Sequence, residues 1–255
     1  MRVVGKLCSF NNFLKVSTIL YLNFMEWYSD DRTIGLYGST HLPQEVPEVE
    51  RFLHRLDPML VMVETDDEKG TRPDMQTAID FARSKQRQVA YIGFNIGDVV
   101  RELGRTYPLH TAIHFGIITC HEQIQNVASE EDLRGRVQFV LYNVVEDMNP
   151  TQKIKILQEA IVYMDRHIAE TWKERERFGT QQFMQEAKRG IEEREVEEPI
   201  SGFRQYSEEF DRYTAEKLWG NISTALGYPL NPKGIIVGQW HFPHMQQRLH
   251  YFTRS

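Results

Sequence analysis

Two histidines and one glutamate stand where their side chains could share a metal ion or activate a water molecule. His41 follows the first β-rich run of the chain, Glu64 ends the second, and His241 follows the last. In an open parallel sheet, ligands bind in the crevice beyond the carboxyl ends of the strands. Two imidazoles and one carboxylate are the ligand set of many hydrolytic zinc, manganese and iron sites. We therefore predict one shared polar site at His41, Glu64 and His241, with the identity of any metal left open.

A glycine precedes each of these histidines by three residues, at Gly38 and at Gly238. Glycine at such a position would let the backbone turn sharply and approach a ligand closely. Taken alone, a Gly-x-x-His pattern is weak, because a histidine at a strand end is usually hydrogen-bonded to a loop. The two patterns become informative together because both stand at strand ends and because Glu64 ends another predicted strand.

Other residues that could bind a metal fit this chemistry less well. A charged loop follows Glu64, and such a loop is more often solvated than ligating. Three further histidines lie at helical spacing but lack a matching carboxylate pattern such as His-Glu-x-x-His, so we interpret them as structural. These residues are Asp66, Asp67 and Glu68 in the loop, and His110, His114 and His121 in the helix.

The elements that must position the three candidate residues alternate along the first hundred residues. The run Thr33–Gly38 predicts a strand, residues 44–56 an amphipathic helix, and Met59–Thr65 a strand buried on both faces. Asp74 can cap a second helix, and Gln88–Asn95 predicts a third strand. Strands and helices that alternate at this density indicate a parallel sheet with right-handed crossovers.

The later part of the chain is mostly helical before a final strand. Residues 150–198 carry a helical apolar stripe among many charged residues, Tyr206–Leu218 predicts another amphipathic helix, and Gly234–Gly238 a final buried strand. Val137–Asn143 fits either a strand or the beginning of a helix. We therefore predict an α/β fold: a central, mainly parallel sheet flanked by helices, with a helical insertion at about 144–226 before the last strand.

We predict a single α/β domain over residues 29–255, preceded by an extension. Residues 1–28 are interpreted either as a weak signal or amphipathic anchor, or as a start placed too early, because Met25 is an in-frame methionine close to the first strand. The sequence does not decide between these two interpretations.

Composition narrows the classes of partner. The chain has 255 residues, 41% of them hydrophobic, and a formal net charge of -6, so we expect no nucleic-acid partner. Cys8 and Cys120 lie far apart and outside a Cys-x-x-Cys spacing, which indicates a reducing, cytoplasmic compartment and no thiolate metal site. No run of about 18 apolar residues occurs, so the sequence predicts no integral membrane span.

The same residues carry a resemblance to a known family. The run TIGLYGSTHLPQEVPEVERFLHRLDPMLVMVETDDE resembles the opening of TraB/PrgY family proteins, which are related to the Tiki metalloproteases and more distantly to the EreA/ChaN-like superfamily. That family pairs an early Gly-x-x-His with a buried strand ending in Glu, and IIVGQWHFPHMQQRL suits its closing Gly-x-x-His motif. The resemblance spans about Thr33–Leu249 and implies that His41, Glu64 and His241 are active-site or metal-binding residues.

Two departures from the family pattern concern arginines. Glu209 is followed by Phe210 where the family helix has Arg. The third strand of the family usually ends in Asp-Arg, where this chain has Gly93 and Phe94. Loss of these cations removes groups that could bind a carboxylate or stabilise a developing anion. Because both became phenylalanine, we expect the two rings to contact each other near the crevice wall.

The resemblance implies a metal-dependent hydrolase of the TraB/Tiki kind, with a peptide as the leading substrate. A divalent ion (Mn, Co or Zn) held by His41, His241 and Glu64 would activate water, or Glu64 would act as the general base. The competing hypotheses are a non-catalytic protein that binds a peptide or small ligand in the same crevice, and a haem- or metal-binding protein that resembles ChaN. The sequence leaves a homo-oligomer open.

Overall fold

A computed structural model describes residues 26–39, 45–65, 72–124, 126–178 and 200–254. The predicted α/β class is confirmed: a mainly parallel sheet is flanked by helices, and a helical stretch precedes the last strand. No helix among the described residues is both long and apolar enough to cross a membrane.

Five strands form one sheet in the order β1-β2-β5-β3-β4. Strand β1 is the edge strand and runs antiparallel to β2, whereas β2, β5, β3 and β4 are mutually parallel. Insertion of the last strand between β2 and β3 puts three fully buried strands side by side, which explains their continuous apolar sequences. The strands are β1 (Glu26–Tyr28), β2 (Ile34–Ser39), β3 (Leu60–Val63), β4 (Gln88–Tyr91) and β5 (Lys233–Gly238).

Helices cover both faces of this sheet, and alternate strand residues face opposite layers. Leu36, Met62 and Ile235 belong to one buried cluster, together with residues of the two C-terminal helices. Their neighbours Tyr37 and Val63 belong to a second cluster with residues of the two N-terminal helices. These helices are α1 (Val46–Leu56), α2 (Pro73–Ser84), α7 (Phe203–Leu226) and α8 (Phe242–Phe252).

The described chain contains two compact units. The sheet unit includes residues up to Asn95 and from Asp211 onward, and the helical unit is Ile96–Phe210. The helical unit has its own apolar core, which includes Ile113, Leu133 and Met164. Its helices are α3 (Ile96–Thr106), α4 (Pro108–Gln123), α5 (Glu130–Val144), α6 (Pro150–Phe178) and the first turns of α7.

Several boundaries differ from the sequence expectation. The helical stretch before the last strand begins at Ile96, whereas the sequence predicted its start near residue 144. The run Val137–Asn143, which fitted a strand or a helix, lies within α5. Glu26–Tyr28, which falls in the expected N-terminal extension, forms β1. The prediction that Asp74 caps α2 is wrong: the cap position is Arg72, and Asp74 lies fully buried inside the first turn. Pro73 explains the earlier start, because proline favours the first position of a helix.

Candidate functional site

The carboxyl ends of β2, β3 and β5 meet at one edge of the sheet. Ser39 pairs in register with Gly238, and Val63 pairs with Ile236. Backbone hydrogen bonds continue past the strand ends, because the Glu64 N–H donates to the Ile236 carbonyl at 3.1 Å. Side chains that follow these strands are therefore anchored on a rigid, fully buried scaffold.

The structure brings Glu64 and His241 together at this edge. Glu64 Oε2 accepts a hydrogen bond from the Gly238 N–H at 2.6 Å. Glu64 Oε1 lies 3.4 Å from His241 Nε2, and the side chains of Glu64 and His241 are only 15% and 16% exposed. One carboxylate oxygen is thus fixed by the backbone while the other faces an imidazole nitrogen, in a site with little access to solvent.

The position of His241 follows from the turn between β5 and α8. His241 is the residue before α8, and its carbonyl accepts from the Met245 N–H at 3.0 Å. Its own N–H donates to the Gly238 carbonyl at 2.9 Å. The side chain makes no capping hydrogen bond to the helix, which leaves the imidazole directed to Glu64.

Phe94 forms an apolar wall beside His241. The two rings meet edge to face with their centroids 6.1 Å apart. The segment before Phe94 is held in place because the Asn221 side chain donates to the Gly93 carbonyl at 2.7 Å, and the Gly93 N–H donates to the Thr65 carbonyl at 3.0 Å. Phe94 therefore contacts a candidate catalytic side chain.

A second polar pair at this edge was missed by the sequence analysis. The Ser39 hydroxyl donates to Glu45 Oε2 at 2.9 Å, and both residues are buried. Burial raises the pKa of Tyr37, and the negative charges of Glu45, Glu26 and Asp74 raise it further. Three carboxylates therefore act on this hydroxyl, and the Arg51 guanidinium opposes them. The signal for Glu45 would have been its place at the start of a helix that follows a buried strand.

The predicted third member of the site, His41, lies outside the described residues, as do Asp66, Asp67 and Glu68. Within the described part of the chain, no group of three or more His, Cys, Asp and Glu side chains could hold a metal ion. Ser39 and Glu45, which flank the segment containing His41, both belong to the carboxyl edge. The structure shows Glu64 and His241 side by side. The site of three residues stays a prediction.

The three histidines that we interpreted as structural, His110, His114 and His121, all lie on α4 in the helical unit. His114 Nδ1 is 2.8 Å from the Tyr206 hydroxyl, and His110 Nε2 is 3.0 Å from the Ser201 carbonyl. Burial lowers the pKa of His114 to about 4. The ring centroids of Phe210 and His114 lie 4.5 Å apart, so Phe210 packs against this cluster. Contact between Phe210 and Phe94 stays a prediction.

Comparisons of the chain with protein-family models, with curated proteins and with solved structures find no match. The resemblance to the TraB/PrgY family therefore rests on the sequence motifs alone.

Proposed function

We propose that this chain is a metal-dependent hydrolase of the TraB/Tiki kind that cleaves a peptide bond. The observation that supports this function is the close pair of Glu64 and His241 at the carboxyl edge of a parallel sheet. Sites of hydrolytic chemistry in open α/β sheets lie at this edge. The proposal includes a cytoplasmic location, for which the separated cysteines are the support.

The donor atoms fit a divalent metal ion. Two nitrogen or oxygen ligands bound at ~2.0 to 2.2 Å to one tetrahedral ion lie about 3.4 Å apart, which is the separation of Glu64 Oε1 and His241 Nε2. The proposed ligands are His41, His241 and Glu64. A bound Mn, Co or Zn ion would supply a water of lowered pKa and would polarise the scissile carbonyl.

Glu64 has the geometry of a positioned base. The Gly238 N–H holds Oε2, so the carboxylate cannot rotate freely and Oε1 keeps its place beside His241. In the alternative in which the histidines alone hold the ion and Glu64 is not a ligand, Oε1 takes a proton from the attacking water as the water oxygen bonds to the carbonyl carbon. The same carboxyl group then gives this proton to the leaving amine as the C–N bond breaks.

A second candidate function is binding without turnover, and Phe94 is the observation that favours it. Its ring contacts His241 where the resembling family has a cation. An apolar wall offers no charge to stabilise an oxyanion, whereas it suits the apolar group of a bound peptide or small ligand. Both functions use the same crevice and differ in whether a peptide bond is broken.

Replacement of His241 by Ala, beside Glu64→Gln, tests the proposal. If the chain is a metallohydrolase, His241→Ala binds one equivalent of divalent metal less than the wild type and loses peptide turnover. Glu64→Gln keeps the fold and loses at least about 100-fold in turnover, because its amide cannot take a proton. Metal content, cleavage of a peptide library followed by mass spectrometry, and thermal unfolding are measured on both variants and the wild type.

His244→Gln is the matched control, because His244 is an exposed histidine three residues further on and its loss is expected to change neither metal content nor turnover. Unchanged metal content and hydrolysis in a folded His241→Ala variant would reject the role of His241. A metal-loaded wild type that cleaves no peptide of a broad library would instead support the binding function.

A further inference from the structure

We propose that His121 and His167 form a second metal site, within the helical unit, for a divalent transition-metal ion such as Zn2+. His121 lies on α4 and His167 on α6, and their Nε2 atoms are 3.3 Å apart. The rings are nearly parallel, with an interplanar angle of 22° and centroids 5.4 Å apart. Imidazole nitrogen is a preferred ligand of zinc, copper and nickel.

The separation of the two nitrogens suits a shared ion. A direct hydrogen bond from an N–H group places the heavy atoms at about 2.7 to 3.2 Å. Two imidazole nitrogens bound at ~2.0 to 2.1 Å to one tetrahedral ion lie about 3.3 Å apart. The observed distance therefore exceeds that of a good hydrogen bond and equals that of two ligands on one ion.

The sequence positions this pair through a close approach of the two helices. A Cβ atom at Gly116 would lie only 2.9 Å from the sulfur of Met164, so glycine lets α4 pack tightly against α6. His121 and His167 follow about one turn further along their helices. Their neighbours Cys120 and Ile168 are buried in the core of the unit, so the histidines stand at the border of a well-packed interface.

The surroundings favour a cation and keep the rings oriented. His121 is in the last turn of α4, where the unpaired carbonyls of a helix end carry partial negative charge. The Tyr163 ring stacks on His167 with an interplanar angle of 14°.

The adjacent thiol is not a ligand of this site. Cys120 is fully buried in the apolar core of the unit, whereas both histidines lie at the border of that core. In the described part of the chain the site has two protein ligands, and water completes the coordination. It shares no residue with the proposed hydrolase site, so either proposal can fail without the other.

The test is zinc binding by the full chain after removal of metal with a chelator. His241→Ala is used as the background, because it lacks a ligand of the proposed hydrolase site. We expect this protein to bind one equivalent of Zn2+ and to melt at a higher temperature with zinc than without. Addition of either His121→Gln or His167→Gln should weaken this binding at least tenfold and abolish the rise in melting temperature. His54→Gln, which removes an exposed histidine of α1, is the matched control and should keep both.

Equal zinc affinity of the His241→Ala protein and of the protein with both His241→Ala and His167→Gln would overturn the proposal. The absence of zinc binding by the His241→Ala protein would also overturn it. If a variant fails to fold, nitrogen NMR of the histidine side chains in the wild type decides the question. Zinc should then shift the Nε2 resonances of His121 and His167, and unshifted resonances for this pair would overturn the site.

Discussion

The two carboxylate oxygens of Glu64 have different partners in the folded chain. Oε2 satisfies the Gly238 N–H, which lies at the end of the central strand, and Oε1 faces His241. The Glu64 side chain therefore links the carboxyl end of β5 to that of β3 by a hydrogen bond, and it also contributes a negative charge. A change at this residue has a structural effect that can be separated from any effect on catalysis.

Glu64→Ala should lower the free energy of unfolding by about 1 to 3 kcal/mol, because it leaves the Gly238 N–H without its acceptor in a site with little solvent. Glu64→Gln should lower it by less than about 1 kcal/mol, because the amide oxygen can still accept that hydrogen bond. Urea denaturation of the two variants measures the difference. Equal destabilisation by Ala and Gln would show that the hydrogen bond does not stabilise the fold.

At the scale of residues, the sequence predicted the Glu64 and His241 pair because both follow buried strands that run parallel. The strand ends were readable as short apolar runs, and parallel ends meet at one edge. The Ser39 and Glu45 pair could not be predicted in the same way. A serine at a strand end and a glutamate before a helix are common residue types, and neither one indicates a hydrogen-bond partner.

At the scale of elements, Gly38 controls how closely α8 approaches β2. A Cβ atom there would lie 2.9 Å from the Cβ atom of Phe242, the first residue of α8. Gly38 has no positive φ, so the sharp turn that we expected from the Gly-x-x-His pattern is not its role. The glycine is needed because the Phe242 side chain of α8 fills the space that a side chain at this position would occupy.

Gly38→Ala should destabilise the chain by about 1 to 3 kcal/mol, the usual cost of overpacking a well-filled core. Gly135→Ala is its counterpart on α5, where nothing lies within 4 Å of the added Cβ atom. That variant should gain about 0.5 to 1 kcal/mol, because alanine favours a helix over glycine. Thermal unfolding of both variants gives the comparison, and a Gly38→Ala protein as stable as wild type would contradict the close packing.

The N-terminus of α5 depends on one capping residue. Ser129 precedes the helix, and its hydroxyl accepts from the Asp132 N–H at 3.1 Å. Ser129→Ala should therefore cost about 1 kcal/mol, whereas Ser129→Asp should keep the stability because aspartate also caps well. Chemical denaturation distinguishes these outcomes. If alanine and aspartate behave alike, the cap contributes nothing measurable.

The sequence predicted some elements better than others for a physical reason. Strands β2, β3 and β5 are short apolar runs bounded by turns, and α1 has a clear apolar face. Helix α4 packs among other helices and buries residues around much of its circumference, so it lacks the simple periodicity that marks a surface helix. Strand β1 has only three residues, too few for an alternating pattern.

At the scale of the whole molecule, the chain leaves the sheet after β4 and returns with its central strand. The helical unit occupies the interval between Asn95 and Asp211. Strand β5 pairs with both β2 and β3, so two strands from the first hundred residues share hydrogen bonds only through a strand near the C-terminus. This long-range pairing explains why the strand order could not be derived from local patterns.

His114, in the helical unit, should make the free energy of unfolding of the chain depend on pH in the acid range. Rings of Phe115, Tyr206 and Phe210 surround its imidazole, and burial lowers its pKa from an ordinary 6.5 to about 4. Between these two values the unfolded chain binds a proton that the folded chain does not. The stability contributed by the neutral imidazole is therefore complete above pH 6.5 and is lost as the pH falls towards 4, by about 3 kcal/mol in total.

His114→Gln removes this titration while keeping a polar partner for Tyr206. The variant should be less stable than wild type at pH 7, because it loses the packing of the imidazole among the rings, and the difference should shrink by about 3 kcal/mol as the pH falls to 4. Urea denaturation at several pH values between 7 and 4 measures this change. His54→Gln, which removes an exposed histidine of α1, is measured beside it as a control for the loss of a histidine outside this ring cluster. A His114→Gln curve that also stays parallel to wild type would show that the imidazole is protonated in the folded chain as readily as in the unfolded one.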